Sequence, residues 1–190
     1  MLIATYSAEY RKRLQSATYF VKLGSMSRPN VFQTNCPIAR VTAVIGEAWT
    51  LMVLREAFLG TRHFNDFERQ LGIARNILSD RLKKLVEAGL MQRQPSATDK
   101  RAVEYRLTEP GRALYPVLIG LTQWASQYLC CGESALRFID RATGQDIAPL
   151  SVQSQDGRAL GLKDIAMVPG PDADQAMEER FEAASRAAQG

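Results

Sequence analysis

Between Thr61 and Leu107 the hydrophobic period changes once, and this constrains the fold more than any other feature of the chain. Phe64, Phe67 and Leu71 recur at helical spacing and stop at Gly72. A second helical run starts near Ala74 and closes at Gly89. It carries Leu78, Leu82, Leu85 and Val86 on one face and Asn76, Ser79, Asp80, Lys83, Lys84 and Glu87 on the other. After Gly89 the period is 2. Leu90, Gln92 and Gln94 alternate with Met91 and Arg93, residues 95–100 read as a turn, and Val103, Tyr105 and Leu107 alternate with Glu104 and Arg106. A helix, a tight glycine turn, a second helix and a hairpin follow the order of a helix-turn-helix with a wing.

The flanking segments extend this frame. Pro37 suits the first turn of a helix on which Ile38, Val41, Ile45 and Ala48 recur. Residues 49–59 are apolar almost all round, as a buried central helix would be, and end at Gly60; Thr61 is placed to cap the next helix. Thr108 and Pro110 open a further helix whose stripe of Leu114, Val117, Leu118, Leu121, Trp124 and Tyr128 is wider than one small domain needs. Part of it is expected to face a second copy of the chain. Beyond Gly132, residues 136–140, 147–152 and 165–168 alternate and predict a small β appendage.

The expected fold is therefore mainly α with a small β hairpin (α+β): a winged helix-turn-helix with dimerisation helices and a C-terminal appendage. Residues 1–25 read as a leader ahead of a start at Met26, 26–131 as the winged domain, 132–170 as the appendage and 171–190 as an acidic, frayed or weakly helical tail.

Composition narrows the class of protein. A chain of 190 residues, 46% apolar and 23% charged, is neither a fibre nor a disordered polymer. Three cysteines, two of them adjacent, fit no secreted disulfide framework, which points to a reducing cytoplasm. Apolar stretches such as 114–121 fall short of the roughly 20 residues that span a bilayer, so no membrane partner is expected, and the basic opening residues have no apolar run of a signal peptide behind them. Residues 60–107 hold ten Lys or Arg against six Asp or Glu, whereas residues 132–190 hold six against ten. A polyanion would meet the front of the chain.

In the winged-helix arrangement the second helix enters the major groove of double-stranded DNA, and the hairpin tip lies along the backbone or in the minor groove. Arg75, Asn76 and Ser79 are then the base-reading candidates, and Arg62, His63, Lys83, Lys84, Lys100 and Arg101 the phosphate contacts. The competing reading makes Lys83 and Lys84 only the solvated side of an amphipathic helix. His63 is the sole histidine, and there is no HExxH, GxSxG or glycine-rich phosphate loop after a strand. The expectation is a chain that is not an enzyme, with no cofactor and no metal.

Cys36, directly before Pro37, sits at a helix cap, where backbone N–H groups and the dipole favour a thiolate. A redox sensor and a small capping residue without chemistry are both open at this point. Cys130 and Cys131 read as packed thiols, because a vicinal disulfide is strained.

The ordered motifs Cys36-Pro37, 46–50 (Gly-Glu-Ala-Trp-Thr), 54–56 (Leu-Arg-Glu), 64–67 (Phe-Asn-Asp-Phe), 78–82 (Leu-Ser-Asp-Arg-Leu), Gly89-Leu90 and 105–111 (Tyr-Arg-Leu-Thr-Glu-Pro-Gly) resemble the HxlR-type branch of the MarR-like winged-helix regulators. The resemblance covers about half the chain. It implies a cytoplasmic bacterial or archaeal transcription factor, homodimeric through its terminal helices, binding a pseudo-palindromic operator as a repressor and answering an oxidant or small-molecule effector. Some members use a cysteine placed like Cys36 for sensing. Ala74 and Ala48 depart from the pattern, standing where a helix cap and a basic residue are usual.

The appendage resembles the ribbon of longer members, but Thr143 and Gln153 to Asp156 stand where its cysteine ligands would be. An effector pocket lined by Trp49, Met52 and Trp124 is a further expectation. The rival reading is a winged-helix module for protein–protein contact that binds no DNA.

Overall fold

The computed structural model describes residues 36–96, 101–129 and 135–187. The described residues fall into two units, one holding residues 36–46 and 168–187 and the other lying within Glu47–Met167. In the first, α1 (Pro37–Ile45) starts at Cys36, which stands at the N-cap with Pro37 in the first turn and no side-chain cap bond. Ala39 is its buried residue, and Ile38 and Val41 of the expected stripe are exposed.

The larger unit is built around α2 (Ala48–Phe58), α3 (Phe64–Leu71) and α4 (Arg75–Glu87). Val53 and Leu54 of α2, Phe67 of α3, and Leu78, Leu82 and Leu85 of α4 are closed from solvent and form the core with Ile73 and Met91. Burying such a side chain contributes about 1.5–3 kcal/mol. Helix α2 is not buried all round as expected: Trp49 is exposed while Glu56 is buried, its carboxylate taken by Arg55 at 2.5 Å. The stripe facing α3 and α4 carries much of its packing.

Gly72 ends α3 in the left-handed region, φ 60°, with its N–H on Glu68 O at 2.9 Å. That conformation is open to glycine at little cost and makes the tight reversal into α4. Thr61 does not cap α3; the N-cap is His63, without a side-chain bond. Residues 62 and 63 are engaged elsewhere. Tyr105 N–H donates to Arg62 O at 2.8 Å and His63 bridges to Glu104, adding one rung beside the hairpin.

The hairpin itself pairs β1 (Met91–Pro95) with β2 (Val103–Leu107) in antiparallel register, Met91 opposite Leu107 and Pro95 opposite Val103. Its inside and outside are not as the alternation implied. Glu104 is buried, whereas Val103, Tyr105 and Leu107 are half-buried. The rung at residues 62 and 63 makes β2 the middle strand locally, which covers the side that the sequence marks as polar.

Thr108 caps α5 (Glu109–Arg112), accepting from Gly111 N–H at 3.2 Å and donating to Gly89 O at 2.5 Å. Helix α6 (Tyr115–Tyr128) buries Ile119 but leaves Val117, Leu121, Trp124 and Tyr128 on the outside. Residues 135–167 belong to the same unit. Arg137 and Asp146 pair at 2.8 Å, and β3 (Val152–Gln153) pairs with β4 (Ala159–Leu160). A one-turn 3-10 helix, Leu162–Asp164, follows. Of the alternating segments expected as strands, residues 136–140 hold only the isolated bridge of Ile139 to Asp146, residues 147–152 contribute only Val152 to β3, and residues 165–168 form no strand. Among the described residues nothing pairs with that segment, and Met167 is 83% exposed.

Gln123 of α6 fastens the appendage, its amide reaching Ala148 O at 3.3 Å and accepting from Leu150 N–H at 2.8 Å. In the other unit, α7 (Gln175–Ala187) is a regular helix in the tail and buries none of its residues.

Candidate nucleic-acid interface

Helix α4 presents the candidate surface because its other side is spent on the core. Asn76, Ser79 and Lys83 are exposed, and their spacing of three and four residues places them along one face. Among the described residues Lys83 is tied only to Glu87, at 3.9 Å. Ala74, the N-cap of α4, offers no side-chain acceptor to the first-turn N–H groups. Arg75 lies at the start of this face, with Nη1 2.5 Å from Glu68 Oε2 and the guanidinium 4.8 Å from the centre of the Phe64 ring.

Lys84 is placed differently from the expectation of a phosphate contact. Its Nζ lies 2.8 Å from Glu47 and 3.0 Å from Asp80, and the side chain is only 26% exposed. Burial by itself would lower the Lys84 pKa. The two carboxylates outweigh that effect and hold it above its usual range. Arg81 joins the same cluster, pairing with Glu47 and with Asp80, and its Nε is buried without a hydrogen-bond partner among the described residues. The charges of Lys84 and Arg81 are thus answered inside the protein, where they fasten α4 to the start of α2. Asp80 and Lys84 at i and i+4 are a pairing readable in sequence; Glu47, 37 residues from Lys84, is not.

Of the remaining candidates, Arg62 and His63 lie beside β2, and Arg101 stands two residues ahead of it. Arg62 and Arg101 are exposed, and His63 is half-buried with Nδ1 3.4 Å from Val103 O and Nε2 3.9 Å from Glu104. Lys100 lies outside the described residues.

Glu104 was missed by sequence reasoning, yet it organises the wing. It accepts from Ser96 Oγ and from Arg106 Nε, both at 2.7 Å. The Ser96 and Arg106 hydrogen bonds, with the Arg106 and His63 charges, hold the carboxyl below its ordinary 4.5 despite desolvation. A lowered folded pKa adds stability that is complete above about pH 4.5 and is lost as pH falls through the lowered value. Glu104→Gln should therefore flatten the acid side of the stability profile. Urea midpoints taken between about pH 6 and pH 3 would check this; a parallel fall in variant and parent would contradict it.

The described residues contain no cluster of three or more His, Cys, Asp or Glu able to hold a metal. Among them no single helix is long and apolar enough to cross a membrane. A groove of about 610 Å³ lies between α6 and residues 136–149, lined by Thr122, Gln123, Ser126, Arg137, Phe138 and Asp146 among others. It is not the pocket expected at Trp49, Met52 and Trp124.

Two helices joined at a left-handed glycine, a core beneath the second and a hairpin tied to the first define a winged helix-turn-helix protein. The chain belongs to the HxlR-like helix-turn-helix family, whose model matches residues 44–132. An uncharacterized HTH-type transcriptional regulator of Mycobacterium tuberculosis is 38% identical over 135 residues, 70% of this chain and 85% of the relative. Two solved structures assigned as transcription factors are also similar. PA1607 has a TM-score of 0.69 at 38% identity, covering 75% of this chain and 100% of the other. PA1374 from Pseudomonas aeruginosa has a TM-score of 0.55 at 33% identity, covering 76% and 99%.

Proposed function

We propose that the chain is a cytoplasmic transcriptional regulator that binds double-stranded DNA as a homodimer and represses from a pseudo-palindromic operator. The observation that carries the reading is the exposed row Arg75, Asn76, Ser79 and Lys83 on a helix whose opposite side is closed into the core. Arg and Asn at the start of such a helix can each make two hydrogen bonds to one base. The apolar outside of α6 supports the dimer. Two recognition helices about 34–36 Å apart would then meet successive major grooves. Arg62, His63 and Arg101, with Lys100, supply the wing's approach to the backbone. The oxidant arm of the reading rests on Cys36, half-buried at the N-cap of α1.

Selection of bound sequences from random DNA, with and without hydrogen peroxide, tests the reading as a whole. Recovery of a two-fold symmetric motif supports it, and enrichment of none favours the rival protein–protein module. An unchanged yield under peroxide removes the oxidant arm. A finer test uses salt. Each phosphate contact contributes about 0.9 to the slope of log affinity against log salt. Lys83→Gln should lower that slope by one such step per protomer, while Lys84→Gln leaves it unchanged. Equal changes for both would return Lys84 to the DNA surface.

A further inference from the structure

The recognition helix carries four cations; Lys83 pairs with Glu87 on its own helix, and the other three are held from two directions. Arg81 and Lys84 are drawn toward Glu47 and Asp80. Arg75 is held from the opposite direction, by α3. Its Nη1 meets Glu68 and its guanidinium lies over Phe64, so two residues four apart on one helix grip one side chain. An exposed ion pair alone would hold so long a side chain poorly. An aromatic face adds a second contact that fixes the plane of the guanidinium as well as its position.

We propose that Glu68 and Phe64 are positioning residues that hold Arg75 for two-point recognition of a guanine, and thereby set the base preference at one position of each half-site. The guanidinium has five N–H donors, and the Glu68 contact occupies Nη1. Enough donors remain to meet O6 and N7 of guanine in the major groove. Side-chain freedom is already lost before DNA arrives, so less is lost on binding. Glu68 is 30% exposed, more sheltered than the 64% of Arg75, so it lies behind the guanidinium rather than in front of it as a competing surface anion. This inference rests on α4 being the helix that reads DNA.

The test compares parent protein, Glu68→Gln, Phe64→Leu and Arg75→Ala on the selected operator. The companion probe carries 7-deazaguanine, which lacks the N7 acceptor, at the guanine assigned to Arg75. The parent should prefer guanine about tenfold or more. Arg75→Ala should abolish the preference and Glu68→Gln should cut it to about threefold or less, while the salt slope stays unchanged because no phosphate contact is lost.

Phe64→Leu should act in the same direction. Should it also lower thermal stability, Glu68→Gln, whose side chain is outside the core, carries the decision. Retention of the full guanine preference by Glu68→Gln overturns the proposal. So does a uniform gain in affinity for every sequence, which would make Glu68 a competitor of DNA. Parent protein that binds no DNA fails the functional reading instead, so the two failures are told apart.

Discussion

Replacing Gly111 by alanine is expected to destabilise the larger unit by about 3 kcal/mol, in the upper range for forcing atoms into a filled core. A Cβ at this position would lie 2.0 Å from Leu90 O and 3.2 Å from the Leu107 side chain. Neither neighbour can retreat cheaply. Leu90 O accepts from Thr108 N–H at 3.0 Å, and Leu90 N–H donates to Leu85 O at 3.0 Å, which pins this stretch to the end of α4. The obstacle is backbone against backbone, so a rotamer change does not relieve it. The urea midpoint should fall with the slope of the transition preserved. Gly120 is the contrast, since an added Cβ there meets only Leu150 Cδ1 at 3.5 Å. Alanine at 120 should be neutral or slightly stabilising, because glycine within a helix costs about 1 kcal/mol. Equal behaviour of the two variants would remove the close-approach explanation.

The second large effect concerns assembly. Trp124 is 55% exposed on α6, in ring contact with Tyr128 at 5.8 Å and on the same outside as Val117 and Leu121. Trp124→Glu removes no core contact, so the variant should stay folded, with an unchanged circular-dichroism spectrum. A buried unpaired carboxylate in the proposed dimer is costly, and sedimentation should show a shift from dimer to monomer. Operator affinity should drop about a hundredfold or more, because two linked half-site contacts become one. Affinity for a single half-site should not change. A variant that remains dimeric would exclude this face of α6 as the interface.

What could be read from the sequence was the part governed by local rules. Gly72 and Gly89 marked the turns because each adopts positive φ at a helix end, and the period of Leu78, Leu82 and Leu85 identified the buried side of α4. The parts that escaped depend on neighbours distant along the chain. Glu104 is buried because residues 62 and 63 lie beside β2, and no alternation within 103–107 can report that. Lys84 was indistinguishable from Lys83 until Glu47 was placed beside it. Arg75 stood out by residue type alone, whereas its grip by Phe64 and Glu68 appears only once α3 has folded back across the glycine turn. In the appendage, short apolar alternation at 165–168 resembled a strand, but a strand needs a partner and none adjoins it among the described residues.

The single rung between residues 62–63 and 104–105 has a mechanical meaning. A hairpin hinged only at its root would swing like a loose flap, and contact at its tip would tell the rest of the protein little. Here the Tyr105 amide is hooked to Arg62, immediately ahead of α3. A force applied at the wing tip is therefore delivered sideways into the start of α3, and through Phe64 and Glu68 to the first side chain of α4. If the proposed DNA contacts hold, the wing would act as a lever with its fulcrum inside the helix-turn-helix, and its backbone contact and the base contact of α4 would be strained or relaxed together.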